Sequence, residues 1–211
     1  MQRGGMTNKP LGIILAGGQS SRMGGGDKCL LSLAGGTLLS LVIDRLAAQT
    51  GTIALNANGD AARFAAYGLP VLPDNIDGFA GPLAGVLAGL DWAATQGASH
   101  IVTAAADTPF FPTDLVARLC SAASPAGLAM AATPDPVRGL SRHPTFGLWP
   151  VSLRDDLRVA LAQGTRKVVS WTDRHGCPLV AFSASPYDPF FNVNTPGDMD
   201  VARQLAQREM K

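Results

Sequence analysis

The sequence predicts an α/β fold: a Rossmann-like, doubly wound and mainly parallel (mixed) sheet with helices on both faces. Two kinds of segment lead to this prediction. Short apolar stretches bounded by turn residues alternate with segments whose apolar residues recur at helical spacing. Such alternation produces a parallel sheet covered by helices. The chain has 211 residues, enough for one substantial core, so we expect a single domain.

The first half of the chain supplies four predicted strands and three predicted helices. The strands are "LGIILAG", "TIALNAN", "LPVLPD" and "SHIVTAAAD". Thr37 is placed to cap the first helix, and Gly81-Pro82 is a favourable start for the second. The third helix is indicated by Leu115, Val116 and Leu119.

The second half is less regular. "GLAMAAT", "HPTFGLW" and "PLVAF" are predicted strands, and residues 139–143 between the first two are expected to form a mobile loop. "SLRDDLRVALAQG" is predicted to be a helix that starts at Ser152 and stops at Gly164. In "TPGDMDVARQLAQ", Thr195 caps a terminal helix.

Composition narrows the classes of function. The formal net charge of +1 gives no reason to expect nucleic acid or a membrane surface as a partner. The three cysteines are widely spaced, which argues against a disulfide framework or a zinc site and fits a cytoplasmic location. Residues 1–10 are expected to be a flexible leader, because the apolar stretch of a signal peptide is missing.

Polar residues follow the predicted strands of the first half. Gly17, Gly18, Asn56, Asp74 and Asp107 each lie at or just beyond the carboxyl end of a strand. Ligands of open α/β sheets bind at that edge, so we expect these residues to converge. Each has a structural alternative: Asp107 could cap the next helix, and Asn56 could be a turn residue.

The stretch "LAGGQSSRMGGGDKCLL" after the first strand has the composition of a phosphate-binding loop. Glycines let backbone N–H groups approach phosphate oxygens, and Arg22 and Lys28 add positive charge. The stretch contains neither GxxxxGK[ST] nor GxGxxG followed directly by a helix. Neither familiar phosphate-binding motif therefore applies, and glycines alone could also serve ordinary turns.

The same stretch, in the form LAGGxSxRMGGxDK, resembles the signature of the molybdenum cofactor guanylyltransferases, the MobA family of nucleotidyltransferases. The related cytidylyltransferases typically begin LAAGxSxRMG, whereas this chain has Gly17 at the second Ala position. Further matches are "NAN" at Asn56, "PD" at Asp74, "GPLAGVLAGL", "DTP" at Asp107, "HPTFGLW" and "FNVNTPGD". The resemblance covers nearly the whole chain from Leu11 onward.

The resemblance implies Mg²⁺-dependent transfer of GMP from GTP to the terminal phosphate of molybdopterin, with release of pyrophosphate. It implies that residues 11–110 bind nucleotide and that residues 111–211 bind the acceptor. Backbone atoms of Leu15, Ala16 and Gly17 would touch the nucleotide, Asn56 and Asp74 would recognise the nucleoside, Lys28 would hold phosphate and Asp107 would bind Mg²⁺. Arg22 would assist catalysis, and Asn192 and Asn194 would help to hold the pterin substrate or the metal region. The excess of positive charge between residues 138 and 174 suggests separately that Arg142 could contact the anionic pterin, although such charges often form a solvated face.

Other interpretations stay open at this point. Asp74 could accept from the guanine edge or from a ribose hydroxyl. The enzyme could transfer a cytidylyl group, or act on a sugar or polyol phosphate. A non-catalytic module that delivers cofactor to a molybdoenzyme or its chaperone is a third interpretation, and an enzyme of this family could also deliver its product. Retention of both Lys28 and Asp107 favours catalysis, because mere docking requires neither.

Overall fold

A computed structural model of the protein describes residues 9–17, 27–76 and 81–209. Its strands are β1 (Leu11–Leu15), β2 (Ser32–Leu33), β3 (Gly36–Thr37), β4 (Ile53–Asn56), β5 (Val71–Leu72), β6 (His100–Ala105), β7 (Ala129–Asp135), β8 (Gly139–Pro150) and β9 (Leu179–Ala181). Its helices are α1 (Leu38–Ala47), α2 (Pro82–Thr95), α3 (Leu115–Ala122), α4 (Arg154–Ala162), α5 (Val168–Thr172) and α6 (Pro196–Glu209). Short 3₁₀ turns cover Lys28–Leu30, Ala61–Tyr67, Val151–Leu153 and Asp173–His175.

The four predicted strands of the first half form the parallel part of a seven-stranded sheet, whose order is β5-β4-β1-β6-β8-β7-β9. β1 lies between β4 and β6 and is parallel to both, and β5 is parallel to β4. Every residue of β4 is buried, as are Ile13 and Ile14 of β1. Continuous burial is expected of strands that are covered on both faces. The parallel first half is therefore confirmed.

The second half makes the sheet mixed. β8 is antiparallel to both β6 and β7, and β9 is parallel to β7. The prediction of a mobile loop at residues 139–143 is wrong, because these residues begin β8 and pair with residues 131–135. The Asp135 carboxylate accepts hydrogen bonds from the backbone N–H groups of Val137 and Arg138, at 2.9 and 2.7 Å. This turn reverses the chain at once and leaves the following residues free to pair.

Helices cover both faces of the sheet, which confirms the doubly wound fold. On one face α1 and α3 pack against the side chains of Ile14 and Leu55. On the other face α2, α4 and α5 enclose Ile13 together with Trp149 and Trp171. Successive residues of a strand point to opposite faces, so Ile13 and Ile14 belong to different halves of the core.

Two glycines let α2 lie unusually close to the sheet. A Cβ on Gly89 would lie 2.7 Å from Cγ1 of Ile13, and a Cβ on Gly85 would lie 2.2 Å from Oδ1 of Asn56. Both separations are shorter than any tolerable carbon contact. The glycines of "GPLAGVLAGL" therefore have a packing function, and Gly85 places α2 directly against a predicted site residue.

Helix ends agree with the sequence in two cases and disagree in one. Thr37 caps α1 by accepting from the backbone N–H of Ser40, as predicted. Thr195 accepts from the backbone N–H of Asp198 at 3.2 Å at the start of α6, as predicted. The predicted cap at Ser152 is wrong: a 3₁₀ turn occupies Val151–Leu153, and α4 begins at Arg154 without a side-chain cap.

The structure describes only residues 9 and 10 of the predicted leader. Residues 1–8 lie outside the described part of the chain, whereas Pro10 is buried and accepts a hydrogen bond from the backbone N–H of Gly51 at 3.0 Å. No helix within residues 9–17, 27–76 and 81–209 has both the length and the apolar character that a membrane crossing requires.

Candidate functional site

A cavity of about 360 Å³ lies at the carboxyl ends of the parallel strands. Nine of the residues predicted from the sequence line it: Leu15, Ala16, Gly17, Lys28, Asn56, Asp74, Asp107, Asn192 and Asn194. Asp27, Cys29, Gly81, Pro82, Ala105, Ala106 and Thr145 complete the lining. Residues separated by more than 170 positions in the chain thus meet at the edge where ligands of such sheets bind.

The first segment of the lining continues directly from β1. The backbone N–H of Ala16 donates to the carbonyl of Asn56 at 2.9 Å, and the carbonyl of Leu15 accepts from the N–H of Ala106 at 3.1 Å. These bonds extend the sheet pairing by one step and carry the chain into the cavity. Gly18, Arg22 and Gly24 to Gly26 lie outside the described residues. The phosphate-binding function of that loop therefore stays a prediction.

One end of the cavity is built from a carboxylate held by two amides. Asn56 is buried, and its Nδ2 donates to Oδ1 of Asp74 at 2.9 Å. Nδ2 of Asn58 donates to the other carboxylate oxygen of Asp74 at 2.8 Å. Because each oxygen accepts one of these bonds, Asp74 is held in a single orientation. Asn58 is a participant that the sequence analysis did not assign.

The amino end of α2 faces the same cavity. Gly81 precedes the helix with φ of +66°, which favours glycine, and Pro82 occupies the first helical position. Among the residues that the structure describes, no side chain caps this helix end. The first backbone N–H groups and the positive end of the helix dipole are suited to an anionic ligand. The sequence indicated the helix start but not its place in the site.

The opposite end of the cavity holds an ion pair. Nζ of Lys28 lies 2.6 Å from Oδ2 of Asp107 and 2.6 Å from Oδ1 of Asn194. Lys28 is brought there by the 3₁₀ turn that follows the glycine loop, and Asp107 follows β6. Asp107 does not cap the next helix, since α3 begins at Leu115. Its carboxylate faces the cavity and is one-quarter exposed.

The segment that carries Asn192 and Asn194 is anchored to the same aspartate. The backbone N–H of Val193 donates to the carbonyl of Asp107 at 3.0 Å. The hydroxyl of Thr108 is within hydrogen-bond reach of Asn192 Oδ1 and of Asp107 Oδ1, the latter at 3.1 Å. Residues 191–194 form no strand pairing with the other described residues. Both asparagines nevertheless line the cavity.

The donor atoms at this end suit a magnesium ion. Across residues 9–17, 27–76 and 81–209, no group of three or more His, Cys, Asp or Glu side chains could hold a metal ion. Asp107 with the amide oxygens of Asn192 and Asn194 offers a small set of oxygen donors. Mg²⁺ commonly takes only one or two carboxylates and completes its shell with phosphate oxygens and water. The residues present therefore fit Mg²⁺ bound together with a phosphate ligand.

Arg142 does not line the cavity. Its Nη1 lies 2.9 Å from Oδ1 of Asp173, so the structure does not bring it together with the other predicted pterin residues. His143 is packed instead of ligating: its Nε2 lies 2.9 Å from Oγ1 of Thr133, and burial lowers its pKa. Trp149 is fully buried in the core.

Cys29 lines the cavity as an inert thiol. Burial, followed by the negative charge of Asp27, raises the pKa of Cys29 to about 12. A thiol with so high a pKa is protonated at neutral pH and is a poor nucleophile. Cys29 is therefore not a reactive cysteine, and it is the one cysteine among the described residues that line the cavity.

Comparison with known proteins identifies the family. The model of the MobA-like NTP transferase domain matches residues 12–177. A molybdenum cofactor guanylyltransferase from Bradyrhizobium sp. (strain ORS 278) is 53% identical over 203 residues, covering 94% of this chain and 93% of that protein. One from Mesorhizobium japonicum is 49% identical, covering 93% and 95%.

Solved structures share the fold. Molybdopterin-guanine dinucleotide biosynthesis protein A from Archaeoglobus fulgidus has a TM-score of 0.70 at 23% identity, covering 94% of this chain and 99% of that chain. A nucleotidyl transferase from Methanothermobacter thermautotroptrophicus has a TM-score of 0.74 at 22% identity, covering 96% and 99%. The matched domain spans most of the chain, and its relatives are about 50% identical over nearly all of it. The chain therefore belongs to the molybdenum cofactor guanylyltransferases, within the MobA-like nucleotidyltransferase family.

Proposed function

We propose that the cavity binds GTP and molybdopterin, transfers GMP to the terminal phosphate of molybdopterin, and releases pyrophosphate. One observation carries the proposal: a single cavity holds an orientated carboxylate with amides at one end and a lysine with an aspartate at the other. The first end suits a base and the second suits a triphosphate. In this arrangement residues 11–110 supply most of the nucleotide contacts, and residues 111–211 supply the acceptor side.

The base is read by Asp74 with Asn56. Guanine presents an N1–H and an exocyclic amine side by side, and a carboxylate with two orientated oxygens can accept from both. Cytosine and adenine present a ring acceptor at the corresponding edge, so Asp74 would face a repulsive partner. Sites that are built on hydrogen bonds reject ligands lacking the matching group by large factors, up to about 10⁴. The backbone of Leu15, Ala16 and Gly17 would support the nucleoside.

The phosphates are held by Lys28 and by the glycine loop. An oxygen of the molybdopterin phosphate attacks the α-phosphorus of GTP, and the bond from that phosphorus to the bridging oxygen breaks. The attacking oxygen is already ionised, so no general base is required. Catalysis then depends on alignment and on neutralisation of charge, which Lys28 and Arg22 provide. Asp107 and Asn194 would hold Mg²⁺, whose chemistry is to neutralise phosphate oxygens as negative charge moves to pyrophosphate.

The acceptor side is formed by Asn192, Asn194 and Thr145, which line the cavity next to Asp107. Their amide and hydroxyl groups can bind the pterin and its phosphate. Arg142 would reach the acceptor only if its pairing with Asp173 opened. The proposal includes delivery of the product to a molybdoenzyme or its chaperone. It also places the enzyme in the cytoplasm, which the three free thiols support.

The decisive test of the reaction is competition between nucleotides. Purified protein receives Mg²⁺, limiting molybdopterin and equimolar GTP and CTP, and the dinucleotide products are separated and counted. We expect guanine dinucleotide with stoichiometric pyrophosphate and little cytosine dinucleotide. Mostly cytosine product would assign the chain to cytidylyl transfer. No dinucleotide from either would favour the non-catalytic delivery module.

The role of Asp107 is tested by Asp107→Asn. The amide preserves the shape of the side chain but removes the charge that a divalent cation requires. We expect the variant to melt near the wild-type temperature and to lose nearly all transfer. It should also lose the GTP-dependent binding of Mn²⁺ measured by electron paramagnetic resonance. Normal turnover at equal magnesium would show that Asp107 is a structural residue.

A further inference from the structure

We propose that Asn58 is a positioning residue for base selection: it fixes the carboxylate of Asp74, and Arg63 in turn fixes Asn58. The inference rests on the proposed function in one respect, namely that Asp74 reads the base. It goes beyond that function because Asn58 does not line the cavity. Its effect on the nucleotide must therefore be transmitted through Asp74.

Asn58 holds Asp74 at two points. Its Nδ2 donates to Oδ2 of Asp74 at 2.8 Å, and its Oδ1 accepts from the backbone N–H of Asp74 at 2.9 Å. One amide thus fixes both the main chain and the side chain of the same residue. Asn56 donates to the remaining carboxylate oxygen and, at 3.0 Å, to the carbonyl of Leu72. The carboxylate therefore has a donor on each oxygen and no freedom to rotate without losing a bond.

This arrangement leaves the acceptor capacity that a guanine edge needs. A carboxylate has about four lone-pair directions, and the two amides use one on each oxygen. The second lone pair on each oxygen can accept from the N1–H and the exocyclic amine. A carboxylate held by Asn56 alone could turn about its Cβ–Cγ bond and offer water a share of the same lone pairs. Orientation, rather than charge, is what Asn58 contributes.

Arg63 connects this base-reading end to the phosphate end. Its Nη2 donates to the carbonyl of Asn58 at 2.6 Å, and its Nε lies 3.0 Å from Oδ2 of Asp27. Asp27 lines the cavity immediately before Lys28. The 3₁₀ turn Ala61–Tyr67 thereby ties the end of the glycine loop to the segment that carries Asn58. Asp27, the aspartate of the "GGGDK" stretch, thus has a structural role as the partner of Arg63, which the sequence did not indicate.

Two substitutions at Asn58 separate its two bonds. Asn58→Ala removes both the donor and the acceptor. Asn58→Asp keeps the acceptor for the N–H of Asp74 but replaces the donor with a negative charge facing the Asp74 carboxylate. The matched control is Asn75→Ala, because Asn75 also donates an exposed amide hydrogen bond of 2.9 Å to an aspartate, Asp91, and neither residue lines the cavity.

Calorimetric titration with Mg²⁺ compares GTP, inosine triphosphate and inorganic tripolyphosphate. Inosine triphosphate lacks the exocyclic amine, so its ratio to GTP reports how well Asp74 is orientated. Wild-type protein should prefer GTP by about tenfold or more, as one hydrogen bond to a charged acceptor requires. Asn58→Ala should lower that preference to about twofold, and Asn58→Asp should lower it at least as far. Tripolyphosphate affinity should stay within about twofold of wild type, which shows that the fold is intact.

Asp74→Asn distinguishes failure of the inference from failure of the proposed function. If Asp74→Asn loses the preference for GTP but both Asn58 variants keep it, Asn58 has no positioning role and base reading by Asp74 stands. If Asp74→Asn keeps the preference for GTP, Asp74 does not read the base, and both the positioning role of Asn58 and the base-reading role of Asp74 are overturned. A loss of preference in Asn75→Ala equal to that in Asn58→Ala would also overturn the inference, since the effect would not require contact with Asp74.

Discussion

Lys28→Met should change two affinities in opposite directions. The Lys28 ammonium lies 2.6 Å from Oδ2 of Asp107, the residue that we propose as a ligand of the divalent cation. The same ammonium lies 2.6 Å from Asn194 Oδ1. Removing it should make free metal bind more tightly to the protein without nucleotide. It should weaken GTP, because the phosphates lose a cation.

The magnitude follows from the burial of the pair. Charge-assisted hydrogen bonds contribute about 1.5–3 kcal/mol. The side chains of Lys28 and Asp107 are 17% and 25% exposed, so partial screening places the pair near the lower end of that range. About 1.4 kcal/mol corresponds to tenfold, which is the expected gain in affinity for free Mn²⁺. GTP affinity should fall by a similar factor and GMP affinity by much less, because GMP lacks the phosphates that we propose Lys28 contacts.

Free Mn²⁺ is counted by electron paramagnetic resonance in the absence of nucleotide, and GTP and GMP are titrated by calorimetry. Methionine keeps most of the length of the lysine side chain, so packing is disturbed little. Lys9→Met is the control, since Lys9 is exposed outside the cavity and the change in net charge is the same. If Mn²⁺ binding to Lys28→Met is unchanged or weaker, Lys28 does not compete with the metal. Equal losses for GTP and GMP would place Lys28 away from the β- and γ-phosphates.

Two further predictions concern α2 and the thiol in the cavity. Gly85→Ala should lower both the free energy of unfolding, by about 1–3 kcal/mol, and the affinity for GTP, because its Cβ would meet Asn56. Gly89→Ala should lower the free energy of unfolding alone, because its Cβ would meet Ile13. Denaturant unfolding and titration with GTP separate the two effects, and normal GTP affinity in Gly85→Ala would contradict the reasoning. Cys29, with a pKa of about 12, is only about 10⁻⁴ thiolate at pH 8. Alkylation of Cys29 by iodoacetamide, followed by mass spectrometry, should be at least about 100-fold slower in native than in denatured protein, and it should accelerate as pH rises. Equal alkylation rates in native and denatured protein would show that the thiol is not buried.

The convergence of the site could be predicted because it depends on topology. Asn56, Asp74 and Asp107 lie at or just beyond the ends of strands that the alternation of apolar segments located correctly, and parallel strands end at one edge. The signature around Lys28 then indicated the family. These signals are local in sequence, so no knowledge of tertiary contacts was needed.

The parts that were missed depend on long-range contacts. Asn58 is one of two amides on Asp74, but nothing in "NAN" shows which amide faces the cavity and which supports the carboxylate from outside. Residues 139–143 resemble a loop because the strand begins with polar residues, and only pairing with β7 makes them extended. Arg142 was predicted at the acceptor site from its charge, whereas the structure pairs it with Asp173.

The two ends of the cavity differ in what a ligand must displace. The partners of Asp74 are neutral amides that leave a lone pair on each carboxylate oxygen, so a base can bind without breaking a protein contact. Lys28 and Asp107 are paired with each other, so in the proposed function the phosphates and the metal would have to separate them. The fixed orientation of Asp74 should give base selectivity, because a base with the wrong hydrogen-bonding edge cannot turn the carboxylate to suit itself. A contact that is exchanged should couple the two ligands, because a triphosphate that drew Lys28 away would also expose Asp107. It follows that base identity should be decided at Asp74 without metal, whereas metal affinity should depend on whether a triphosphate is bound.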